Sequence, residues 1–99
     1  MRIVWTNEAL DDIQQIINYI ASDNKKAALK VADNIFATID NLLTPNPHLG
    51  RLGRVKGTRE LFVCQSYITV YSTTKEQIII LAIRHSSRLW PESFSYSDK

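Results

Sequence analysis

Gln77-Ile78-Ile79-Ile80-Leu81-Ala82-Ile83-Arg84-His85 is the stretch on which the fold turns. Its six consecutive apolar residues are dominated by isoleucine, a β-branched residue that packs well on a pleated surface. The run is too short for a buried helix and too hydrophobic for an edge strand, so it predicts a central strand covered by other elements. Working back from it, Tyr67 to Tyr71 and Leu61 to Gln65 read as two further strands. Thr73-Thr74-Lys75-Glu76 and Ser66 separate the runs at hairpin distances, which predicts a three-strand meander.

Upstream the period changes. Leu10, Ile13, Ile16, Ile17 and Ile20 recur at three- and four-residue steps, predicting a helix over about residues 7 to 21 with Asp11, Asp12, Gln14, Gln15 and Asn18 on its wet side. Arg2-Ile3-Val4-Trp5 before it is strand-like, and Thr6 is a suitable N-cap because its hydroxyl can accept a backbone N–H of the first turn. Ser22-Asp23-Asn24 breaks the pattern. Ala28, Val31, Ala32, Ile35, Ile39 and Leu42 then repeat it through a second helix to about Leu43, ended by Thr44-Pro45-Asn46-Pro47. Leu49 to Val55, with Gly50 and Gly53, is a loop or a loose edge strand. The expected fold class is α+β: a small antiparallel sheet packed against an α-helical hairpin, in the order β-α-α-β-β-β. One domain over residues 1–91 is expected, with 92–99 as a polar C-terminal tail.

Ninety-nine residues suit a single core. No run approaches the roughly 20 apolar residues of a membrane helix, and the N-terminus lacks the pattern of a secretory signal, so cytoplasmic localisation and no membrane partner are expected. The lone Cys64 lies in an apolar run and reads as core filler. His48 and His85 are isolated from other ligand types, so neither a metal nor a cofactor is expected.

Net charge of +2 conceals an asymmetry. Residues 1–50 carry four Lys/Arg against six Asp/Glu, and residues 51–99 carry eight against four. The second half is therefore the one suited to an anionic partner, through Arg51, Arg54, Lys56 and Arg59, or else a solvated loop and strand face. His85, between Arg84 and Ser86-Ser87-Arg88, has the chemistry of a proton donor or acceptor with cations beside it to hold a phosphate. The plainer reading is a strand-end histidine hydrogen-bonded to backbone. Arg59 could clamp a phosphate or carboxylate, or pair with a nearby acid at the surface. Arg88 could lay its stem over Trp90. Trp5 and Trp90 read as packing anchors, and Tyr19, Tyr67 and Tyr71 as half-buried amphipathic residues that could also serve as acids or stacking surfaces.

The opening strand with its tryptophan, the hairpin ending in proline, the Gly-Arg loop, Gly57-Thr58-Arg59-Glu60-Leu61, the Tyr67-x-x-x-Tyr71 strand and His85-x-x-Arg88-x-Trp90 resemble, in this order, the RelE/ParE superfamily of bacterial type II toxins. The resemblance covers residues 2 to 91. It implies a growth-inhibiting toxin neutralised by a cognate antitoxin, often acidic, which itself binds operator DNA, so that the toxin reaches DNA only through it. The target implied is DNA gyrase, with the ribosome and its mRNA as the alternative. RelE-type ribonucleases carry an arginine directly after the first tyrosine, where this chain has Ile68, and their second catalytic arginine falls near Ser86. The pattern is closer to the gyrase-binding ParE branch, with Arg51, Arg54, Lys56, Arg59 and Arg88 as target or antitoxin contacts. A ribonuclease would have to work with a reduced catalytic set of Arg59, Arg84 and His85.

Overall fold

A computed structural model describes residues 1–64 and 66–86. The elements are β1 (Arg2–Trp5), α1 (Asn7–Ala21), α2 (Lys25–Leu43), β2 (Arg51–Leu52), β3 (Arg59–Val63), β4 (Tyr67–Thr73) and β5 (Gln77–His85). They form the expected α+β arrangement, with one five-stranded sheet ordered β1-β5-β4-β3-β2. The isoleucine-rich β5 is interior, between β1 and β4, as its hydrophobicity requires.

One expectation needs correction: the sheet is mixed, because β1 pairs with β5 in parallel, Ile3 opposite Ile78 and Trp5 opposite Ile80. The other strand pairs are antiparallel. Short hairpins force antiparallel neighbours, whereas β1 reaches β5 only through the intervening hairpin and meander, so local spacing says nothing of its direction. The segment after the prolines contributes only the two-residue β2.

Thr6 ties the first helix to the sheet. Its hydroxyl oxygen accepts the Ala9 N–H at 3.1 Å and its O–H is donated to the Ile80 carbonyl at 2.8 Å, so one side chain caps α1 and fixes it beside β5. Asn24 caps α2 in the same way, accepting the Ala27 N–H. The buried stripes are rotated slightly from the expected ones: Ala9 and Ile13 on α1, and Ala28, Ala32, Ile35, Ile39 and Leu43 on α2. Leu10 and Leu42 stand exposed. Each lies one position from a stripe residue, a rotation of about 100° that apolar periodicity does not resolve.

The main core joins both helices to one sheet face through Ala9 and Ile13 of α1, Ile35, Ile39 and Leu43 of α2, and Val63, Tyr71, Ile78, Ile80 and Ile83 of the sheet. Ile68, Val70, Ile79, Leu81 and Ala82 form a second buried cluster on the opposite face. A register shift between Val70 and Tyr71 opposes Val70 to Ala82 but Tyr71 to Ile80, leaving Leu81 as the extra residue of a β-bulge. Strict alternation would send Ile83 and His85 to the face opposite Ile78 and Ile80. The bulge inverts the parity, so Ile83 joins the helix-side core.

Candidate functional site

The bulge decides the surroundings of His85. On the helix side it lies opposite Tyr67 on β4, their rings edge to face at 5.5 Å and 85°. Asp12, Gln15, Ile16 and Tyr19 of α1, with Tyr67, Ile83, Arg84 and His85 of the sheet, enclose a cleft of about 400 Å³. Asp12, Ile16 and Tyr19 are three or four residues apart and so share a helix face. Tyr19 is 80% exposed at the cleft and offers its phenol to anything that enters.

Beyond Trp5, β5 continues without β1 beside it, and the Asp12 carboxylate takes that place by accepting the Ile83 N–H at 3.0 Å. Asp12 was expected on the wet side of α1. The available signal was its position four residues before Ile16, at the border of the apolar stripe. Arg84 borders the cleft, although its register partner Ile68 belongs to the opposite-face cluster, and its Nε is buried. The imidazole and phenols can exchange protons and Arg84 carries positive charge, a set suited to polar or anionic groups of a macromolecular partner.

The remaining candidates lie elsewhere. Arg59 pairs with Tyr71 and His85 with Tyr67 across β4, so four residues and two strand spacings separate them, on the order of 15 Å. Arg59 Nη1 donates to the Gly50 carbonyl at 2.8 Å, holding the loop before β2. The hydroxyl of fully buried Tyr71 accepts the Gly50 N–H at 2.9 Å. Burial pushes that phenol's pKa up, against the Gly50 N–H and the nearby Arg59 charge, which lower it. Cys64 is partly buried beside the main core with φ of 45°, and burial pushes its thiol up.

Glu60, the acid expected to pair with its neighbour Arg59, is instead the point on which Arg51 and Arg54 converge. Its nearly buried carboxylate accepts Arg51 Nη2 at 3.1 Å, the Arg54 N–H at 2.7 Å and Arg54 Nε at 3.2 Å. Burial raises the pKa of this carboxyl, but the Arg54 and Arg51 contacts outweigh it and hold the group below the ordinary glutamate value. The arginine cluster is thus partly an internal clamp; Arg51 also lies 5.5 Å over the exposed Phe62 ring. Lys56 is exposed in the turn before β3. Arg88, Trp90 and the tail lie outside the described residues. No described helix is long and apolar enough to cross a membrane.

The profile of the ParE toxin of type II toxin-antitoxin systems, parDE, matches residues 3–90. The chain is 37% identical over 92 residues to Y4kP of Sinorhizobium fredii, named as a candidate toxin, covering 92% of this chain and 94% of that one. It is 34% identical over 88 residues to toxin RelE2 of Caulobacter vibrioides, covering 89% and 98%. In three dimensions it is similar to a chain of the chromosomal ParDE system of P. aeruginosa, with a TM-score of 0.76 at 26% identity, covering 86% of this chain and 95% of that one. A family match along nearly the whole chain, relatives of similar length and a shared fold place it: this chain belongs to the ParE toxin family, within the RelE/ParE superfamily of type II toxin-antitoxin systems.

Proposed function

We propose that this toxin arrests bacterial growth by binding DNA gyrase and blocking replication, acting in the cytoplasm, where gyrase works. The reading is supported above all by Ile68. At the position where RelE-type ribonucleases carry an arginine against the scissile phosphate, this chain has a buried isoleucine in the cluster facing away from the helices. The separation of Arg59 from His85 also argues against a joint phosphate site of Arg59, Arg84 and His85. Arg84, His85 and Tyr19 are then contact residues, with Lys56, Arg59 and Arg88 as further candidates and Arg51 and Arg54 contributing the charge left beyond Glu60.

Pulse incorporation of thymidine and methionine, followed for minutes after inducing the toxin without antitoxin, tests this. DNA synthesis is expected to stop first. If methionine incorporation stops first, the gyrase reading fails and the chain is a ribosome-dependent ribonuclease, the activity that the RelE2 name of one relative suggests.

A further inference from the structure

The opposite rim of the sheet carries a second set of features. Among the described residues β1 is an edge strand, with β5 on its inner side. Arg2 N–H bonds to the Glu76 carbonyl and Thr6 N–H to that of Ile80, so Arg2, Val4 and Thr6 turn their backbone groups toward β5. In a parallel pair the alternate residues face the other way, which directs the N–H and C=O of Ile3 and Trp5 to the open edge. Beside that edge, between β1 and α2, runs a groove of about 440 Å³. Ile3, Trp5, Phe36 and Ile39 supply its apolar wall; the Trp5 and Phe36 rings lie 4.8 Å apart, and Phe36 is still 39% exposed. Exposed Asp33 and Asp40 line the same groove.

We propose that an extended, cationic segment of the cognate antitoxin adds to β1 as a further strand, setting an apolar side chain against Trp5 and Phe36 and Lys or Arg side chains against Asp33 and Asp40. The open backbone groups supply the pairing, and the groove reads alternate side chains. Asp33 and Asp40 are two helical turns apart, about 10 Å. Same-face residues of a strand recur at about 6.6 Å, so three of them span about 13 Å. The matching pattern is cation-x-apolar-x-cation.

Charge excludes the other occupant that suits a strand edge. A second copy pairing β1 antiparallel about a two-fold axis would lay α2 beside its twin on the same sheet face and bring Asp33 toward Asp40 of the other copy, a like-charge seam. The basic loop is a poorer anchor for the antitoxin than its composition suggests, because Arg51 and Arg54 already hold Glu60 and Arg59 holds a loop carbonyl.

The inference rests on the family's pairing with an antitoxin and is independent of the toxin's target. The test uses the full-length toxin and the antitoxin encoded beside its gene. In the complex, hydrogen exchange at the Ile3 and Trp5 amides is expected to slow at least about a hundredfold relative to free toxin, as for amides taken into a sheet. Asp33→Lys with Asp40→Lys, both exposed, should weaken antitoxin binding at least about tenfold, with the loss reduced at high salt; Asp40 also accepts the hydroxyl of the C-cap residue Thr44 at 3.3 Å, so Thr44→Ala is the control for that contact and should leave binding unchanged. Unchanged exchange at Ile3 and Trp5, or less than a twofold change in Kd for the double variant, overturns the proposal. So does slow exchange of those amides already in free toxin that is dimeric, which would assign the edge to a second copy.

Discussion

The carboxylate of Asp12 on α1 accepts the backbone N–H of Ile83 on β5 at 3.0 Å, across 71 positions of sequence. It takes the place of a strand partner where β1 has ended, one residue before Arg84 and two before His85. The first helix therefore holds the strand end that carries the candidate contact residues.

Asp12→Ala should leave the Ile83 N–H without that acceptor and destabilise the fold by about 1–2 kcal/mol. Asp12→Asn keeps an acceptor oxygen and should cost less. Urea unfolding of both, with amide exchange at Ile83, checks this; equal losses would mean that the carboxylate's charge, not its hydrogen bond, matters there.

Gly50 and Tyr71 depend on each other. A Cβ at Gly50 would lie 2.7 Å from the Tyr71 hydroxyl and 2.8 Å from the Glu60 carbonyl, so Gly50→Ala should destabilise by about 1–3 kcal/mol through overpacking. Tyr71→Phe removes the acceptor of the Gly50 N–H and should cost about 1–3 kcal/mol for the buried donor left behind. Because the two share one contact, the double variant should lose less than the sum of the singles in a denaturation cycle.

Glu60 links stability to acid. Its folded pKa lies below the ordinary glutamate value, so its contribution is fully present above that ordinary value and is lost as pH falls past it and through the lowered folded value. Glu60→Gln should lower the urea midpoint at pH 7 and flatten its dependence on pH over that acid range. An unchanged slope between pH 5 and 3 would show that other carboxylates govern acid unfolding.

His85→Ala separates a contact from a catalyst. As a gyrase contact, His85 should matter modestly, with toxicity weakened but retained. As a general acid or base, its loss should slow cleavage by on the order of 10²–10⁴. Cleavage of mRNA on purified ribosomes by wild type and variant decides between them, and equal cleavage rates would remove His85 from any catalytic role.

Much of the molecule was legible in the residues. Helix spans, the Thr6 cap, the central position of Ile78 to Ile83 and the family follow from periodicity, capping chemistry and the order of motifs, all local properties. His85 was legible as a candidate, but its place was not. Leu81 as a bulge residue turns His85 toward Tyr67, and a bulge is a property of two paired strands, not of one. The arginine cluster was legible as charge, while its clamping of Glu60 required β2 and the turn before β3 to fold over that carboxylate. The parallel docking of β1, the Asp12 contact with Ile83 and the open groove of Trp5 and Phe36 likewise join residues far apart in sequence. By itself the sequence determined which segments become helix or strand, because those preferences act over a few residues. Only the tertiary structure decided which faces and charges meet, because that depends on strand register and direction, set by the packing of the whole chain.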